Sequence, residues 1–482
     1  MDLFYRKSLA ELKREADKSP LRRSLGRLNL IALGIGSIIG TGIFVMTGTA
    51  ASQNAGPALV LSMLISAAGC AFAGLCYAEF AAMVPVAGSA YTYAYATVGE
   101  LFAWIIGWDL ILEYALSTAT VAVGWSGYFV SFTNQIGIHI PLALTGPLGR
   151  QIVGPDGSIV SGVFNLPAAA IVGVVSWLLI RGIKQSANTN TVLVIVKSMV
   201  LVVFVVAAYS YVNKDNLTPF IPPNTGEFGH FGWSGVLRGA AVIFFAYIGF
   251  DAVSTAAQEA KDPQKDMPIG ILVSLAICTV LYIGVGYVLT GIVHYTKLNV
   301  ADPLAVGIDA TGLTWLSPVI KVSALFGLFS TMLVQLLGQT RIFYSMARDG
   351  LLPPVFARVH ETFRTPHLST MLTGSVCALV AGFTPIDVLG QLVAIGTLLA
   401  FVLVCIGVIL LRKRSPEIAR PFKTPLVPLV PILGALICLA QMFGLPLATW
   451  ARLFLWLALG MVVYFVYSRK RAEKVRAALL AN

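Results

Sequence analysis

The chain has 482 residues, of which 11% are Asp, Glu, Lys or Arg and 57% are hydrophobic, and its mean hydropathy is +0.82. A soluble globular protein carries about 25% charged residues, and a single hydrophobic core stops growing at roughly 250–300 residues. This composition excludes soluble, disordered, collagen-like and nucleic-acid-binding classes. It predicts an all-α polytopic membrane protein.

Twelve apolar runs are long enough to form bilayer-spanning helices, each of which needs about 20 mostly apolar residues. They are continuous, unlike the alternating stretches of about 10 residues in outer-membrane barrels. The predicted spans cover 30–53, 57–80, 101–131, 164–181, 190–212, 235–257, 269–293, 316–340, 368–384, 388–411, 428–445 and 450–468. An even number of spans places both termini on the same side of the membrane.

When the N-terminus is placed on the cytoplasmic side, most of the Lys and Arg residues outside the spans also lie on that side of the membrane. The predicted inner stretches then contain 26 Lys and Arg residues and the outer loops contain 3. The positive-inside rule therefore predicts a multi-pass protein of the cytoplasmic membrane with both termini in the cytoplasm. The net charge of +11 reflects this distribution and contact with anionic lipid headgroups, and it says little about a substrate.

The first predicted span contains four glycines within nine residues, in the sequence LGIGSIIGTGIF that runs from Leu33 to Phe44. Glycine weakens a helix by about 1 kcal/mol relative to alanine. Close helix packing through small residues is one interpretation. Four glycines accompanied by Ser37 and Thr41 near the middle of the bilayer favour a second one, in which the helix is interrupted.

The sixth predicted span contains FFAYIGFD, from Phe244 to Asp251, with a glycine and an aspartate inside the apolar run. Interruptions at corresponding positions in two halves of a membrane chain indicate an inverted-repeat transporter. The predicted organisation is a cytoplasmic segment (1–29), a first repeat of five helices (30–212), a second repeat of five (235–411), two further helices (428–468) and a cytoplasmic tail (469–482).

Two interrupted helices side by side offer backbone groups that suit a zwitterion. The free N–H groups at the start of a half-helix, with its positive dipole end, favour a carboxylate, and freed carbonyl groups favour an ammonium. We assign the N–H groups of Gly40, Thr41 and Gly42 to a carboxylate. We assign the carbonyls of Ile38, Phe245 and Ile248 to an α-ammonium group.

Four ionisable residues lie at membrane depth, where each costs about 2.5–3.5 kcal/mol to insert. They are Asp109, Glu113, Lys197 and Asp251. A structural ion pair and a substrate or proton site are both open at this stage. Asp251 or Glu113 facing the pocket would pair with a cationic side chain, whereas carboxylates facing Lys197 would leave a neutral pocket for substrates such as alanine.

Lys197 is the candidate for proton coupling. Removal from water disfavours the charged form of a lysine, so its proton can be exchanged near physiological pH. The charged form would donate to the carbonyls freed in the first span, in the place of a metal cation, and the neutral form would release them. This makes a two-state element that a proton biases.

The remaining polar residues narrow the choice of function. Gln335 in the eighth span either bonds a neighbouring helix or lines the side-chain end of the pocket. All five histidines lie in loops or at span ends, so no metal site and no cofactor beyond the coupling proton are expected. The absence of HExxH and GxSxG motifs argues against an enzyme, and two broken helices fit a channel poorly.

Five stretches give the sequence a family resemblance. They are LGIGSIIGTGIFVMTG from Leu33, CYAEFAAMVPVAGSAYTYAYATVGE from Cys76, GWDLILEYAL from Gly107, FFAYIGFDAVSTAAQEAKDPQKDMP from Phe244 and GQTRIFYSMARDGLLP from Gly338. The chain resembles bacterial members of the cationic amino acid transporter family, in the amino acid–polyamine–organocation superfamily. The resemblance covers nearly the full length.

The resemblance implies the leucine-transporter fold, with twelve helices, a 5+5 inverted repeat, discontinuous helices 1 and 6, and alternating access. It implies that the two breaks bind the α-carboxylate and α-amine, that Lys197 replaces a sodium site, and that Glu113 and Asp251 match the family's acidic residues. The expected function is proton-coupled import of L-amino acids, either cationic or small neutral. An exchanger, a sodium-coupled carrier of the same fold, and a small single-helix membrane partner stay open.

Overall fold

A computed structural model describes residues 5–7, 25–83, 89–154, 157–182 and 187–481. Most of the cytoplasmic segment predicted for residues 1–29 therefore lies outside the described part. Nearly all regular structure in the described residues is helical. The α-helices in chain order are α1 (Arg27–Ile38), α2 (Thr47–Ala50), α3 (Leu59–Met83), α4 (Ser89–Thr97), α5 (Glu100–Gln135), α6 (Leu166–Arg181), α7 (Ala187–Ala208), α8 (Gly232–Ile243), α9 (Ala252–Thr255), α10 (Pro263–Ile292), α11 (Pro303–Asp309), α12 (Leu316–Arg348), α13 (His367–Phe383), α14 (Ile386–Arg414), α15 (Leu429–Gly444), α16 (Leu447–Val463) and α17 (Arg469–Ala481).

Eight helical stretches of the described chain are long and apolar enough to cross a bilayer, and α6, α13 and α15 are shorter apolar helices. The first of the eight, Arg27–Met83, is 57 residues long and contains both of the first two predicted spans. Each of the twelve predicted spans overlaps one of these eleven stretches. The protein is a helical, polytopic membrane protein.

The expectation of an all-α chain misses a small hairpin in the connection between α5 and α6. Strands β1 (Gln151–Val153) and β2 (Ile159–Ser161) are antiparallel, with Gln151 opposite Ser161. Gly157, at φ 81°, lies in the turn, a conformation that glycine adopts without strain. Strands of three residues give too short an alternation to be recognised in a sequence.

Helices α5 and α12 pack against each other over much of their length. Helix α5 packs on α12 and α14, α10 packs on α3 and α1, and α7 lies against both α1 and α12. The core combines aliphatic, small and aromatic side chains, and Trp104, Tyr114, Tyr128 and Tyr282 are fully buried. Buried tyrosines bring hydroxyl groups to the middle of an apolar bundle, where they find backbone and carboxylate partners.

Helix α1 ends at Ile38, in the middle of the first predicted span. Ile39 has an extended ψ of 95°, and helical structure resumes after Gly40 with a π-turn over Gly42–Met46, followed by α2 and a second π-turn over Ala51–Ala55. The glycines at this point weaken the helix, and the chain continues as a second helical segment with a separate start.

Helix α8 ends at Ile243 and is followed by a 3-10 turn over Phe244–Tyr247. Ile248 is extended, and Gly249 has φ 118°, a value that residues with a side chain rarely adopt. The chain becomes helical again in α9. Both helices that carry the glycine-rich sequences are therefore interrupted.

Candidate functional site

The two interruptions pack directly against each other. A Cβ atom at Gly42 would overlap the Cα atom of Ala246, and one at Gly249 would lie 2.8–2.9 Å from the side chain and backbone of Ser37. Real Cβ atoms essentially never approach that closely. The glycines thus permit two broken helices to touch backbone to backbone, which brings their unsatisfied polar groups into one region.

The second segment of the first interrupted helix begins with free donors. Its first hydrogen bond runs from the Phe44 N–H to the Gly40 carbonyl, at 3.3 Å. The N–H groups of Gly40, Thr41 and Gly42 therefore precede the hydrogen-bonded ladder and point back towards the break, where the helix dipole is positive. This arrangement is suited to a carboxylate ligand.

The carbonyl oxygens at the break are partly occupied. The Tyr282 hydroxyl of α10 donates to the Ile38 oxygen at 2.9 Å, and the Ile248 N–H makes a long contact of 3.4 Å with the Phe245 oxygen. A carbonyl oxygen has two lone pairs, so one tyrosine hydroxyl leaves room for a second donor on Ile38. The sequence around Tyr282 shows no pattern that predicts this hydrogen bond.

Lys197 lies against the end of α1. Its ammonium group donates to the Gly36 oxygen at 2.5 Å and to the Ile39 oxygen at 2.8 Å, and the side chain is 2% exposed. The Thr331 hydroxyl of α12 lies 3.4 and 3.3 Å from the same two oxygens. Two carbonyls, a hydroxyl and an ammonium group thus meet where α1, α7 and α12 come together.

The buried carboxylates do not face Lys197. Asp251 accepts a hydrogen bond from the Tyr114 hydroxyl and interacts directly with Glu113, so α5 and the second interrupted helix meet through acidic groups. Both carboxylates are at most 1% exposed. Among the salt bridges of the described chain, none includes Lys197. Of the arrangements left open by the sequence, the one with carboxylates opposite the lysine is wrong.

Asp109 and Glu113 are four residues apart on α5, so they lie on the same helix face. Asp109 is 1% exposed and lies near Gly396 of α14, where a Cβ would come 3.1 Å from the Asp109 carboxylate. Neither oxygen of its carboxylate has a hydrogen-bond partner among the described residues. Asp109 thus lies one helical turn before Glu113 on α5, and its carboxylate is next to α14.

Gln335 is buried in α12, four residues after Thr331 and therefore on the same face of the helix. The sequence predicts Gln335 as a site residue, but the prediction does not include Thr331. The spacing of four residues between them could have indicated that Thr331 faces the same region. Phe245 is also buried, and Phe250 packs on Tyr77 and Phe401 in an aromatic cluster. These contacts give Phe250 a packing role in this structure.

A cavity of about 170 Å³ lies beside the second segment of the first interrupted helix. Its wall includes Thr49 and Asn54 from that segment, Arg238 from α8 and Asp387 and Gln391 from α14. The lining combines polar and apolar side chains, and the cavity lies between the two interrupted helices and α14.

Comparison with known proteins places these features in a family. A family profile described as amino acid permease matches residues 25–466. The chain is 47% identical over 470 residues to a methylthioribose transporter of Bacillus subtilis and 46% identical over 473 residues to the branched-chain amino acid permease BcaP of the same organism, in each case over 98% of both chains. It is 36% identical to the vacuolar cationic amino acid transporter 4 of Arabidopsis thaliana, over 82% of this chain and 64% of that protein.

A polytopic helical bundle with two interrupted helices in contact defines a membrane transporter, with the discontinuous helices at its centre. The matches extend over almost the whole chain. The protein belongs to the amino acid permease family of the amino acid–polyamine–organocation superfamily. It is a transporter and not an enzyme.

Proposed function

We propose that this protein imports L-amino acids by proton-coupled symport with alternating access. The observation that carries the proposal is the position of Lys197, whose ammonium group is held by two carbonyls at the end of α1. These are the groups that an interrupted helix offers to a coupling cation. A protonated lysine can fill that place, and a neutral lysine leaves the carbonyls without a cation.

The proposed architecture is the leucine-transporter fold, with twelve membrane-spanning helices. Helices 1–5 (30–212) and 6–10 (235–411) form the two inverted repeats, and both termini lie in the cytoplasm. Support comes from the overlap of all twelve predicted spans with apolar helices and from the interruptions in the first and sixth spans, which lie five spans apart. The distribution of Lys and Arg supports the orientation.

The proposed substrate site is built from backbone groups. The N–H groups of Gly40, Thr41 and Gly42 bind the α-carboxylate, and the carbonyls of Ile38, Phe245 and Ile248 bind the α-ammonium. Contact between the two breaks supports this, because it places donors of one helix beside acceptors of the other. A site made of backbone is indifferent to the side chain of the substrate, which is consistent with the range of amino acids named in the relatives.

The side-chain end of the substrate is proposed to meet Gln335 on α12 and the acidic pair Glu113 and Asp251. A proton shared by the two carboxylates lowers their combined charge and suits a branched-chain or small neutral side chain. Two ionised carboxylates would select arginine or lysine. The hydrogen bond from Tyr114 occupies one oxygen of the Asp251 carboxylate, which leaves less of it available to a cationic substrate side chain. The methylthioribose transporter among the relatives adds one compound outside the amino acids that deserves testing.

The experiment uses the purified full chain. A thermal-shift screen of the twenty L-amino acids and methylthioribose identifies compounds that stabilise the protein. Uptake of the best compound into proteoliposomes is then measured with an inward proton gradient, with a sodium gradient, and with neither. We expect uptake that is driven by the proton gradient in sodium-free buffer. Uptake that requires sodium, or that requires amino acid inside the vesicles, would establish the sodium-coupled carrier or the exchanger instead.

A further inference from the structure

The last two helices of the chain form one nearly continuous rod. Helix α16 begins at Leu447, passes through a π-turn over Tyr464–Ser468 and continues as α17 to Ala481. About 20 residues cross the apolar part of a bilayer. The rod therefore reaches the headgroup level near Tyr467, and α17 lies beyond it. The first basic residues of the rod after its apolar run, from Arg469 onward, begin at this depth.

The inner face of α17 is attached to the bundle. Arg476 makes a salt bridge of 3.2 Å with Glu100 at the start of α5, and the Tyr464 hydroxyl donates to the same carboxylate at 3.0 Å. Ala472 is fully buried against Gly350, whose φ is 80° and whose absent side chain makes room for the helix. Buried charge pairs with several hydrogen bonds hold a defined geometry.

The same attachment holds residues 5–7. The Arg476 guanidinium lies 4.4 Å from the centre of the Tyr5 ring, and the Glu100 N–H donates to the Tyr5 carbonyl at 2.9 Å. Lys7 makes a salt bridge of 2.6 Å with Asp349, just after α12. Helix α17 thus presses an N-terminal segment against the ends of α5 and α12, both of which carry residues of the proposed site.

The outer face of α17 carries Lys470, Arg471 and Lys474. Both lysines are exposed, whereas Arg471 is half-buried and donates to the Tyr467 hydroxyl at 3.2 Å. Within the described residues no salt bridge includes any of the three, whereas Arg469 and Glu473 pair with each other. Just before them along the rod, Phe465 and Val466 are 44% and 71% exposed, as side chains that contact lipid tails are. Cations that follow directly after lipid-facing residues lie at the depth of phosphate groups.

We propose that Lys470, Arg471 and Lys474 form a binding surface for the phosphate groups of anionic phospholipids, and that the bound lipid holds α17 and residues 5–7 against α5 and α12. The inference rests on the proposed orientation, which places this end of the bundle in the anionic cytoplasmic leaflet. The cations divide by face: Arg476 binds the protein, and the outer three bind the membrane. Bound phosphate neutralises the repulsion among the three outer cations. This allows α17 to stay in the position in which Arg476 contacts Glu100.

The test measures backbone hydrogen exchange of residues 469–477 in the full chain, reconstituted in nanodiscs of phosphatidylcholine alone or with 30% phosphatidylglycerol. We expect several-fold slower exchange with phosphatidylglycerol. The triple variant Lys470→Gln, Arg471→Gln, Lys474→Gln should lose this difference. The matched control is Lys413→Gln, Arg414→Gln, Lys423→Gln, which removes three exposed cations at the end of α14 and in the connection to α15 and should keep it.

Arg476→Gln separates the two faces. It should speed exchange in both lipid compositions, since it breaks the contact with Glu100 and leaves the outer surface intact. Equal exchange of the wild-type chain in the two lipids would overturn the proposal, and so would an equal loss of the difference in the control triple. Hydrogen exchange is measured without transport. The result of this test is therefore independent of whether the protein shows proton-coupled uptake, and failure of either proposal can be distinguished from failure of the other.

Discussion

The ammonium group of Lys197 lies 2.8 Å from the carbonyl oxygen of Ile39, the residue at which the first interrupted helix loses its helical conformation. The lysine is on α7, and its two carbonyl partners are on or next to α1. In the proposed mechanism, the proton on this side chain controls the contact between these two helices. The proposal thereby links the protonation state of one buried group to the position of a helix that carries the proposed substrate site.

Lys197→Met should abolish uptake driven by a pH gradient while the protein still folds. Methionine is close in volume and apolar, so the loss of a buried cation is tolerated, but no proton can be bound between α1 and α7. The measurement is uptake into proteoliposomes with and without an inward proton gradient, beside a thermal unfolding curve.

Lys321→Met is the matched control for this variant. Lys321 is also buried to 6% exposure, but it contacts Gln135 at the end of α5, far from the α1 break. Gradient-driven uptake should persist in the control. Full gradient-driven uptake in Lys197→Met would remove the coupling role of that residue.

Gly42→Ala should reduce both stability and substrate binding. Its Cβ would overlap the Cα atom of Ala246, so the two interrupted helices must separate. Overpacking of this kind costs at least about 1–3 kcal/mol. Thermal unfolding with and without substrate measures both effects. Gly173→Ala in α6, where a Cβ would meet no atom within 4 Å, should change stability by no more than about 1 kcal/mol. Similar results for the two variants would contradict the proposed contact.

Asp251→Asn should weaken binding of arginine and lysine more than binding of alanine, because only a cationic side chain gains from a carboxylate at that position. Tyr114→Phe removes the hydrogen bond to Asp251 and frees the carboxylate, so it should shift preference towards cationic substrates. Competition assays against one labelled amino acid measure both. Equal losses for all substrates in Asp251→Asn would assign this residue to structure or coupling.

Asp302 provides a pH-dependent contribution to stability. It lies in the connection between α10 and α11, and burial raises the pKa of its carboxyl above the usual value, although hydrogen bonding from Ser131 and the charge of Lys321 lower it. The folded state therefore binds this proton more tightly than the unfolded state, and stability from this group increases as pH falls through the raised folded-state pKa towards the unfolded value of about 3.9. Asp302→Asn should flatten this part of the profile of Tm against pH. A profile with unchanged slope would show that Asp302 does not contribute.

Glu79→Gln should lower the free energy of unfolding by about 1–3 kcal/mol, because it leaves buried donors without a charged acceptor. Glu79 is 1% exposed and accepts hydrogen bonds from the Arg412 guanidinium at 2.7 and 3.0 Å and from the Thr424 N–H at 2.7 Å, so it joins α3 to the end of α14 and to the connection after it. Asp387→Asn breaks an exposed pair with Arg150 and should cost no more than about 1 kcal/mol. Equal shifts in Tm would argue against the difference in burial as the cause.

Particular residues in the sequence predict several features of the fold and of the candidate site. The glycines at 34, 36, 40 and 42 and the pair Gly249 and Asp251 marked the positions where the helices are interrupted, because an apolar run with clustered glycines is a poor helix. Lys197 stood out because a cation at membrane depth needs partners. The partners themselves were not visible: Thr331, Tyr282 and Tyr114 are ordinary polar residues in apolar helices, and only their spatial neighbours distinguish them.

The sequence by itself determined that this chain is a polytopic helical membrane protein with two weakened helices and four ionisable groups at depth, because composition and hydropathy act locally along the chain. The tertiary structure alone decided which groups meet: Lys197 with the end of α1, Asp251 with Glu113 and Tyr114, and the two breaks with each other. Such pairings depend on the rotation and separation of helices that are more than a hundred residues apart. No local pattern encodes these, because they result from the packing of the whole bundle.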